Sequence, residues 1–411
     1  MTWIGAVYFA DSDCVPGASN RRLSSAAFMT ASSVVSSDPA ATELDHSRPG
    51  ACVGDARRIQ GLDVLRGIAA GAVVLYHYMA NYQRVYGHTF PPIVPTRYFH
   101  YGALGVMLFF LISGFVIFMT LEKTSRPRDF VRSRFSRLYP AYWAALLVTF
   151  AVLYFSHLPG RTPSVARLAV NFTMIQGLLG VQNVDGVYWT LQVELCFYGI
   201  MFLLFISRQL RWAEYWLLGL AALRIAQLYL LPANGWFLQH HAHVARTIAW
   251  LEQLLILDYV NTFVLGIMLY KIWKNGFRAG YAVIVAVSLL VAFRYGPRDD
   301  FYFLLAFVLL VYVASHGFLR ILENRVMLFL GLISYSLYLT HQNIGYVVLR
   351  WMEGRGANVN LAILTALAVA IAVASALTFC IERPALRFLR GSKPRHISQA
   401  QTLAHSAARQ I

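Results

Sequence analysis

The stretch LRGIAAGAVVLYH, from Leu65 to His77, decides what kind of fold this chain adopts. It is apolar enough to enter a membrane, yet an arginine stands near its start and a histidine at its end. Eleven helical residues turn through about 1100°, or three turns plus roughly 20°, and rise about 16 Å. Arg66 and His77 therefore share one face of a helix. Because ionisable side chains are costly in lipid, that face is a candidate for function.

The composition of the whole chain also indicates a membrane protein. Of the 411 residues, 58% are hydrophobic and 13% are charged, whereas a soluble domain has about 45–50% apolar and 25% charged residues. The net charge is +16, but the basic residues stand in short clusters between apolar runs, which argues against a nucleic-acid-binding domain. The four cysteines form no C-x-x-C pair, so neither a disulfide framework nor a metal site is predicted.

Ten apolar runs are long enough to cross a bilayer. Their basic loops alternate in a way that places both termini in the cytoplasm. We therefore predict an all-α integral membrane protein, a bundle of about ten transmembrane helices. Residues 1–56 are predicted to be a disordered N-terminal extension, residues 57–390 the transmembrane domain and residues 391–411 a cytoplasmic tail. The runs are 66–84, 101–121, 139–157, 187–206, 212–231, 254–273, 280–295, 301–319, 327–349 and 360–381.

A second polar position lies in YWTLQVELCFY, Tyr188 to Tyr198. If this span enters from the outside near Gly186, the helix rise places Glu194 about 12 Å deep, close to the depth of His77. A carboxylate and an imidazole at one depth suit general acid–base chemistry, with the carboxylate orienting the ring. The alternative is that Glu194 is a structural partner for a buried arginine such as Arg224.

The stretch GLISYSLYLTHQN, Gly331 to Asn343, carries another intramembrane histidine, His341. Its small and hydroxylated residues suit close helix packing, which is the simpler explanation for most of them. His341 itself is predicted to line the cavity for the acceptor.

Arginines cluster at the cytoplasmic side in FVRSRFSRLYPAYW, Phe130 to Trp143. Arg132, Arg134 and Arg137 are either a topology signal or a site for anions, because guanidinium groups hold phosphates well. In CIERPALRF, Glu382 leaves the last span among arginines, so a salt bridge at the membrane rim is expected there.

Taken together, these stretches resemble the membrane-bound acyltransferase-3 family. The spacing of Arg66 and His77 is similar to the family's Arg-x10-His signature, and Thr190 stands where the family usually has serine. The resemblance covers about residues 60 to 390. The further stretches, in the family's order, are GVMLFFLISGFVIF (105–118), RSRFSRLYPAYW (132–143), YWTLQVELCFY (188–198), GLISYSLYLTH (331–341) and IERP (381–384).

The resemblance implies an O-acyltransferase of the bacterial inner membrane. Such an enzyme transfers an acetyl or other short acyl group from acyl-CoA, its co-substrate, to a hydroxyl of a carbohydrate or related acceptor, such as a surface polysaccharide or a lipid-linked sugar. A metal is not implied. Acceptors in the family also include macrolide antibiotics and nodulation oligosaccharides.

The residue roles follow from this resemblance together with the helix geometry. His77 is expected to be the general base, or else a transient acyl carrier, and Glu194 to assist it. Arg66, with the three clustered arginines, is expected to bind the phosphates of acyl-CoA. The expected substrate contacts are His341, Tyr188 and Trp189, and Ser113, Tyr188 and Trp189 are candidate donors to a developing oxyanion.

Two other classes of function remain open at this point. Intramembrane ionisable groups also mark the paths of transporters and lipid-sugar flippases, which often contain an inverted repeat. The sequence shows no obvious internal repeat. A membrane scaffold without catalysis would not need a histidine and a glutamate at similar depth.

Overall fold

Helices form all the regular structure in the part of the chain that is described. The structure is a computed structural model, and it describes residues 59–87, 96–161, 164–230, 240–295 and 298–390. Within these ranges no strand occurs, as predicted for an all-α protein. The predicted N-terminal extension (1–56) and cytoplasmic tail (391–411) lie outside the described residues.

Each of the ten predicted spans overlaps a helix, although 66–84 contains a π-helical turn and 254–273 begins before the helix that follows. In chain order the helices are α1 Gln60–Tyr76, α2 Tyr82–Tyr86, α3 Gly105–Glu122, α4 Pro127–Ser156, α5 Val165–Asn171, α6 Trp189–Ile206, α7 Ala213–Leu230, α8 Ala242–Leu254, α9 Val260–Asn275, α10 Ala279–Tyr295, α11 Arg298–Ser315, α12 Arg325–Glu353, α13 Val359–Leu377 and α14 Arg383–Arg390.

Four helical segments are long and apolar enough, by length and composition, to cross a membrane. These segments indicate a membrane protein, since about 20 predominantly apolar residues span the hydrocarbon core. The count of ten spans and the cytoplasmic location of both termini stay predictions. The four segments, found among the described residues, are Tyr98–Glu122, Pro127–Ser156, Gly186–Ile206 and Val359–Leu389.

Helix α4 begins at Pro127, well before the apolar run that predicted it. Proline is favoured in the first helical turn, where its missing N–H costs nothing, and Asp129 in that turn complements the helix dipole. The arginines at 132, 134 and 137 are therefore on a helix and not in a loop. Helical spacing places Arg134 and Arg137 three residues apart on one face.

Close helix packing brings α1 against α12 at two glycines. A Cβ atom on Gly67 would lie 2.7 Å from the backbone nitrogen of Gly331. A Cβ atom on Gly331 would lie 2.2 Å from the carbonyl oxygen of Asp63. Such small residues let helix backbones approach, as is common in membrane proteins. This contact holds the polar faces of the two helices together.

A π-helical turn, His77–Asn81, joins α1 to α2. A second π-helical turn, Thr378–Glu382, joins α13 to α14. Single π-helical turns inside longer helices occur frequently at functional sites. The first turn begins with one predicted site residue, His77, and the second ends with Glu382, which was expected to form a salt bridge.

Candidate functional site

A polar cavity of about 420 Å³ lies between α1, α3, α4, α6 and α12. It is the functional candidate because ionisable and hydroxyl side chains converge in it, as binding sites require. A larger hollow of about 620 Å³ near Leu203 and Trp216 is lined mainly by apolar side chains and holds no ionisable group. The principal polar residues of the polar cavity are Arg66, Ser113, Arg134, Arg137, Glu194 and Tyr198.

Two of the cavity arginines keep donors available for a ligand. Across the described residues no carboxylate forms an ion pair with Arg66. Arg134 lies over the rings of Phe130 and Tyr198, each 5.8 Å away, and its buried Nε has no hydrogen-bond partner. Guanidinium donors in this state can bind an anion without first breaking a salt bridge.

The other two predicted arginines differ from this pair. Arg137 lines the cavity and forms an ion pair with Glu382, as expected for Glu382, and lies over the ring of Tyr335 at 5.5 Å. Arg132 is exposed and does not line the cavity. The reason is helical geometry: Arg132 and Arg134 are two positions apart on α4, so their side chains point about 200° apart around the helix.

Glu194 lies in the cavity wall and is held by hydroxyl groups. Its carboxylate accepts hydrogen bonds from Ser113 Oγ at 2.8 Å and from the hydroxyl of Tyr198. No hydrogen bond or ion pair joins it to His77, so the expected direct contact is not formed in the structure. Helix rise predicts a depth for Glu194 but not the direction in which it faces. The alternative partner, Arg224, binds Glu252 and Asp258 instead.

His77 is instead paired with His341. Nε2 of His341 lies 3.1 Å from Nδ1 of His77, and the two rings meet edge to face with centroids 4.9 Å apart. Nδ1 of His77 is also 2.9 Å from the carbonyl oxygen of Val73. His77 is 8% exposed and His341 is fully buried. The pair joins α12 to the point where α1 passes into the π-helical turn.

Tyr338 connects the cavity to the histidine pair. Its side chain lines the cavity. His341 follows Tyr338 by about one turn of α12, and the two ring centroids are 5.8 Å apart. Its hydroxyl shares a 2.9 Å hydrogen bond with Thr190 Oγ1, and Thr190 also lines the cavity. The arginines are thus at one end of the cavity and the histidines lie past the other end.

The two aromatic residues predicted to contact substrate lie elsewhere. Tyr188 is fully buried, with its hydroxyl 3.5 Å from Thr149 Oγ1 and its ring packed on Tyr142. Trp189 packs on Tyr259, with ring centroids 5.5 Å apart. Neither is among the residues that line the cavity. Tyr188 is the N-cap of α6 and Trp189 its first residue, and the helical repeat places both on other faces than Thr190 and Glu194, which are one turn apart and line the cavity.

Sequence reasoning missed a buried carboxylate that binds α12 two residues after His341. Asp185, which directly precedes the span Gly186–Ile206, accepts hydrogen bonds from the backbone N–H groups of Val187 and Asn343, each at 3.3 Å. Burial raises the pKa of its carboxyl to about 6, although nearby Arg161 opposes this. The position falls outside the apolar run, so hydropathy gave no reason to examine it.

Hydroxyl groups in the cavity were also overlooked. Tyr198 and Tyr335 both line it and face the cavity arginines. The available clue was helical spacing, because Tyr198 follows Glu194 by one turn and Tyr335 precedes Tyr338 by three residues.

Across the residues that the structure describes, no group of three His, Cys, Asp or Glu side chains could hold a metal ion.

Comparison with known proteins identifies the family. The family model described as "Acyltransferase domain", acyltransferase 3, matches residues 59–381, and the chain belongs to this family. The match covers both histidines, the first π-helical turn and every residue that lines the cavity except Leu386. Family membership favours a transferase over a transporter or a scaffold. No solved structure matches the chain.

Several relatives have names that describe acyl transfer or polysaccharide production. ORF330 of Acidianus two-tailed virus, named as an acetyltransferase, is 27% identical over 295 residues, or 67% of this chain and 80% of the relative. Acyltransferase MdmB of Streptomyces mycarofaciens is 26% identical over 341 residues, or 71% of this chain and 83% of the relative. Exopolysaccharide production protein ExoZ of Rhizobium meliloti (strain 1021) is 30% identical over 122 residues, or 25% of this chain and 34% of the relative.

Proposed function

We propose that this protein is an integral-membrane O-acyltransferase that uses acyl-CoA. It transfers an acetyl or other short acyl group to a hydroxyl of a carbohydrate or related acceptor, such as a surface polysaccharide or a lipid-linked sugar. It works in a bacterial inner membrane, with the arginine end of the cavity toward the cytoplasm, where acyl-CoA is made. Family membership and the names of the relatives support this proposal.

The observation that carries the proposal is a polar cavity with a buried histidine pair past one end and, at the other, two arginines, Arg66 and Arg134, that form no ion pair with a described residue. Acyl-CoA has phosphates at one end and a thioester at the other. Arg66 and Arg134 would bind the phosphates through charge-assisted hydrogen bonds, with Arg137 held in place by Glu382. The rise from Arg66 to His77, about 16 Å, is a distance that the pantetheine arm can cover.

In the proposed reaction, His77 is the general base. Its Nε2 takes the proton from the acceptor hydroxyl while that oxygen attacks the thioester carbonyl carbon. The carbon–sulfur bond then breaks, and the imidazolium returns the proton to the departing sulfur, which leaves as free CoA thiol. The charges and atoms balance without a metal or a redox cofactor.

Glu194 has a supporting place in this proposal. It holds the hydroxyls of Ser113 and Tyr198 along the path that the acyl donor follows. Of the three candidates for an oxyanion donor, Tyr188 and Trp189 do not line the cavity, and Ser113 lines it but already donates its one hydroxyl hydrogen to Glu194. The acceptor would reach His77 from the side opposite to the arginines.

The nature of the acceptor is inferred from the relatives. ExoZ is named for exopolysaccharide production, and Nodulation protein 10 of Rhizobium leguminosarum bv. viciae, 34% identical over 116 residues, for nodulation. MdmB is named as an acyltransferase. A hydroxyl on a carbohydrate or related acceptor is compatible with all of these names, and the reaction above needs only a hydroxyl.

The proposal is tested with purified protein in lipid nanodiscs and radiolabelled acetyl-CoA. Release of free CoA and transfer of label to envelope glycans are measured for the unmodified protein, H77A and the matched control H316A. His316 is exposed and follows the last residue of α11. We expect H77A to lose activity and H316A to keep it. Normal turnover by H77A would refute the role of His77.

The same assay separates an enzyme from a transporter. A transporter or flippase would move an acceptor without cleaving the thioester, so free CoA would not accumulate. If no acyl-CoA is consumed with any envelope fraction as acceptor, the proposed function is wrong, and the transport of labelled glycolipid between leaflets becomes the next measurement.

A further inference from the structure

The hydrogen-bond partners of His341 fix where its proton lies. Nδ1 of this residue is 3.1 Å from the carbonyl oxygen of Leu337 and 2.9 Å from that of Tyr338. A carbonyl oxygen can only accept, so Nδ1 of His341 carries the hydrogen. A neutral imidazole has one N–H and one lone pair, so Nε2 of His341 is an acceptor.

The proton of His77 follows from that assignment. Its Nδ1 faces the lone pair of His341 Nε2 at 3.1 Å and the oxygen of Val73 at 2.9 Å. Both of these neighbours are acceptors, so Nδ1 of His77 must carry a hydrogen. The lone pair of neutral His77 is therefore on Nε2, the nitrogen that no described residue binds through a hydrogen bond.

We infer that His341 is a positioning residue that acts through His77, not a substrate contact. It accepts the Nδ1 hydrogen of His77, holds the ring in the tautomer with a basic Nε2, and stabilises the imidazolium that forms when the acceptor loses its proton. This inference rests on the proposed function, because it assigns a role within the same acyl transfer.

The surroundings of His341 support positioning over substrate contact. The side chain is fully buried and both ring nitrogens already have partners within the protein. The hydroxyl of Tyr78 donates to its backbone oxygen at 2.9 Å. Gly345 makes room for Tyr78, because a Cβ there would lie 2.2 Å from the tyrosine ring. A residue so enclosed can hold another side chain but presents no atom to a sugar.

The charge balance of the step shows what His341 contributes. When Nε2 of His77 takes the proton, the ring becomes a cation with hydrogens on both nitrogens. Its Nδ1–H then donates to His341 as a charge-assisted bond, which is stronger than the bond in the neutral state. Because the gain arises only after proton transfer begins, the interaction lowers the barrier more than it strengthens substrate binding.

The test compares three substitutions at His341 in the full-length protein. H341L removes the acceptor nitrogen and puts an apolar side chain of similar bulk in its place. H341Q returns a side-chain oxygen that can accept the Nδ1 hydrogen of His77. H341A reports on loss of packing. We measure kcat and the acetyl-CoA KM for each, with thermal melting in detergent to check folding and H316L as a matched control.

Removal of a hydrogen bond to a charged group predicts that kcat falls about 10- to 100-fold in H341L. The acetyl-CoA KM should change by less than about threefold, because the interaction forms only as the reaction proceeds. H341Q should recover at least half of that loss on a logarithmic scale. A merely structural role would instead lower the melting temperature and leave kcat per folded molecule unchanged in all three.

The outcomes separate this inference from the proposed function. If the unmodified protein transfers no acyl group, the proposed function fails and the role of His341 fails with it. If the unmodified protein is active, H77A is inactive and H341L keeps full kcat, only the role of His341 is refuted. Equal losses in H341L and H341Q would refute it too, because the acceptor would not matter.

Discussion

The guanidinium of Arg137 on α4 is paired with the carboxylate of Glu382, 245 residues further along the chain. Glu382 is 2% exposed and also accepts a hydrogen bond from Ser336 on α12 at 3.1 Å. One carboxylate thereby links three segments around the mouth of the cavity. Because Arg137 is paired with Glu382, Arg66 and Arg134 are the cavity arginines that form no ion pair with a described residue.

Loss of this carboxylate should destabilise the protein. In E382A the charge of Arg137, whose side chain is 29% exposed, would have no partner, and breaking a buried pair from one side costs about 3 kcal/mol. K274A is the comparison, because the pair of Lys274 with Glu122 is more exposed and should contribute at most about 1 kcal/mol. Thermal unfolding in detergent measures both. Equal shifts for the two variants would argue against a stabilising role for Glu382.

Arg66 should govern donor binding. R66A is expected to raise the acetyl-CoA KM about 10- to 100-fold with a smaller change in kcat, because a charge-assisted bond to phosphate is lost. R66K should recover binding only in part, since an ammonium lacks the planar fork of a guanidinium. R211A is the control, as Arg211 is exposed and stacks on Trp212. An unchanged KM in R66A would contradict the phosphate role.

The close crossing of α1 and α12 should tolerate no side chain at Gly331. In G331A the new Cβ would lie 2.2 Å from the carbonyl oxygen of Asp63, so two helix backbones must separate. Overpacking of this kind costs about 1–3 kcal/mol. G71A, in the same α1, is the control, because nothing lies within 4 Å of a Cβ there. Melting temperatures that fall equally in both would show that the crossing is loose.

Asp185 should make stability depend on pH. Burial raises its folded pKa to about 6, against 3.8 in the unfolded chain, so the folded state holds the proton more tightly. As the pH rises from about 4 to about 6, this carboxyl therefore lowers the free energy of unfolding by up to about 3 kcal/mol. Above about pH 6 its contribution no longer changes with pH.

D185N removes the titration and keeps an oxygen for the N–H of Val187. Its melting temperature should vary less between pH 4 and pH 6 than that of the unmodified protein. D129N is the matched variant, because Asp129 is exposed on α4. If D185N and the unmodified protein show the same pH dependence, Asp185 is not the group responsible.

The sequence predicted helix positions well because apolar run length determines them. Each predicted span overlaps a helix, and the shared face of Arg66 and His77 follows from the helical repeat alone. The predicted span began at residue 139, whereas α4 begins at Pro127, because the arginines in its first turns lower the mean hydropathy of that stretch. Pro127 and Asp129 were the signals for the earlier start.

Partners within the site were harder to predict than depth. Helix rise predicts a depth for Glu194 but not which neighbouring helix it faces, and in the structure it faces Ser113 on α3. His341 meets His77 because Gly67 and Gly331 bring two distant helices together. A contact of that kind depends on tertiary packing, which no local pattern encodes.

The π-helical turn at His77–Asn81 sets the angular phase of everything that follows it. Each α-helical residue advances about 100°, and a π-helical turn takes up one additional residue. The spacing from Arg66 to His77 ends where the turn begins and keeps the α-helical phase, so one residue added or removed before His77 would rotate the histidine away from His341. A single deletion inside the turn would leave that pair in register and remove the additional residue, so the turn would become α-helical and Tyr82 and its successors would keep their face.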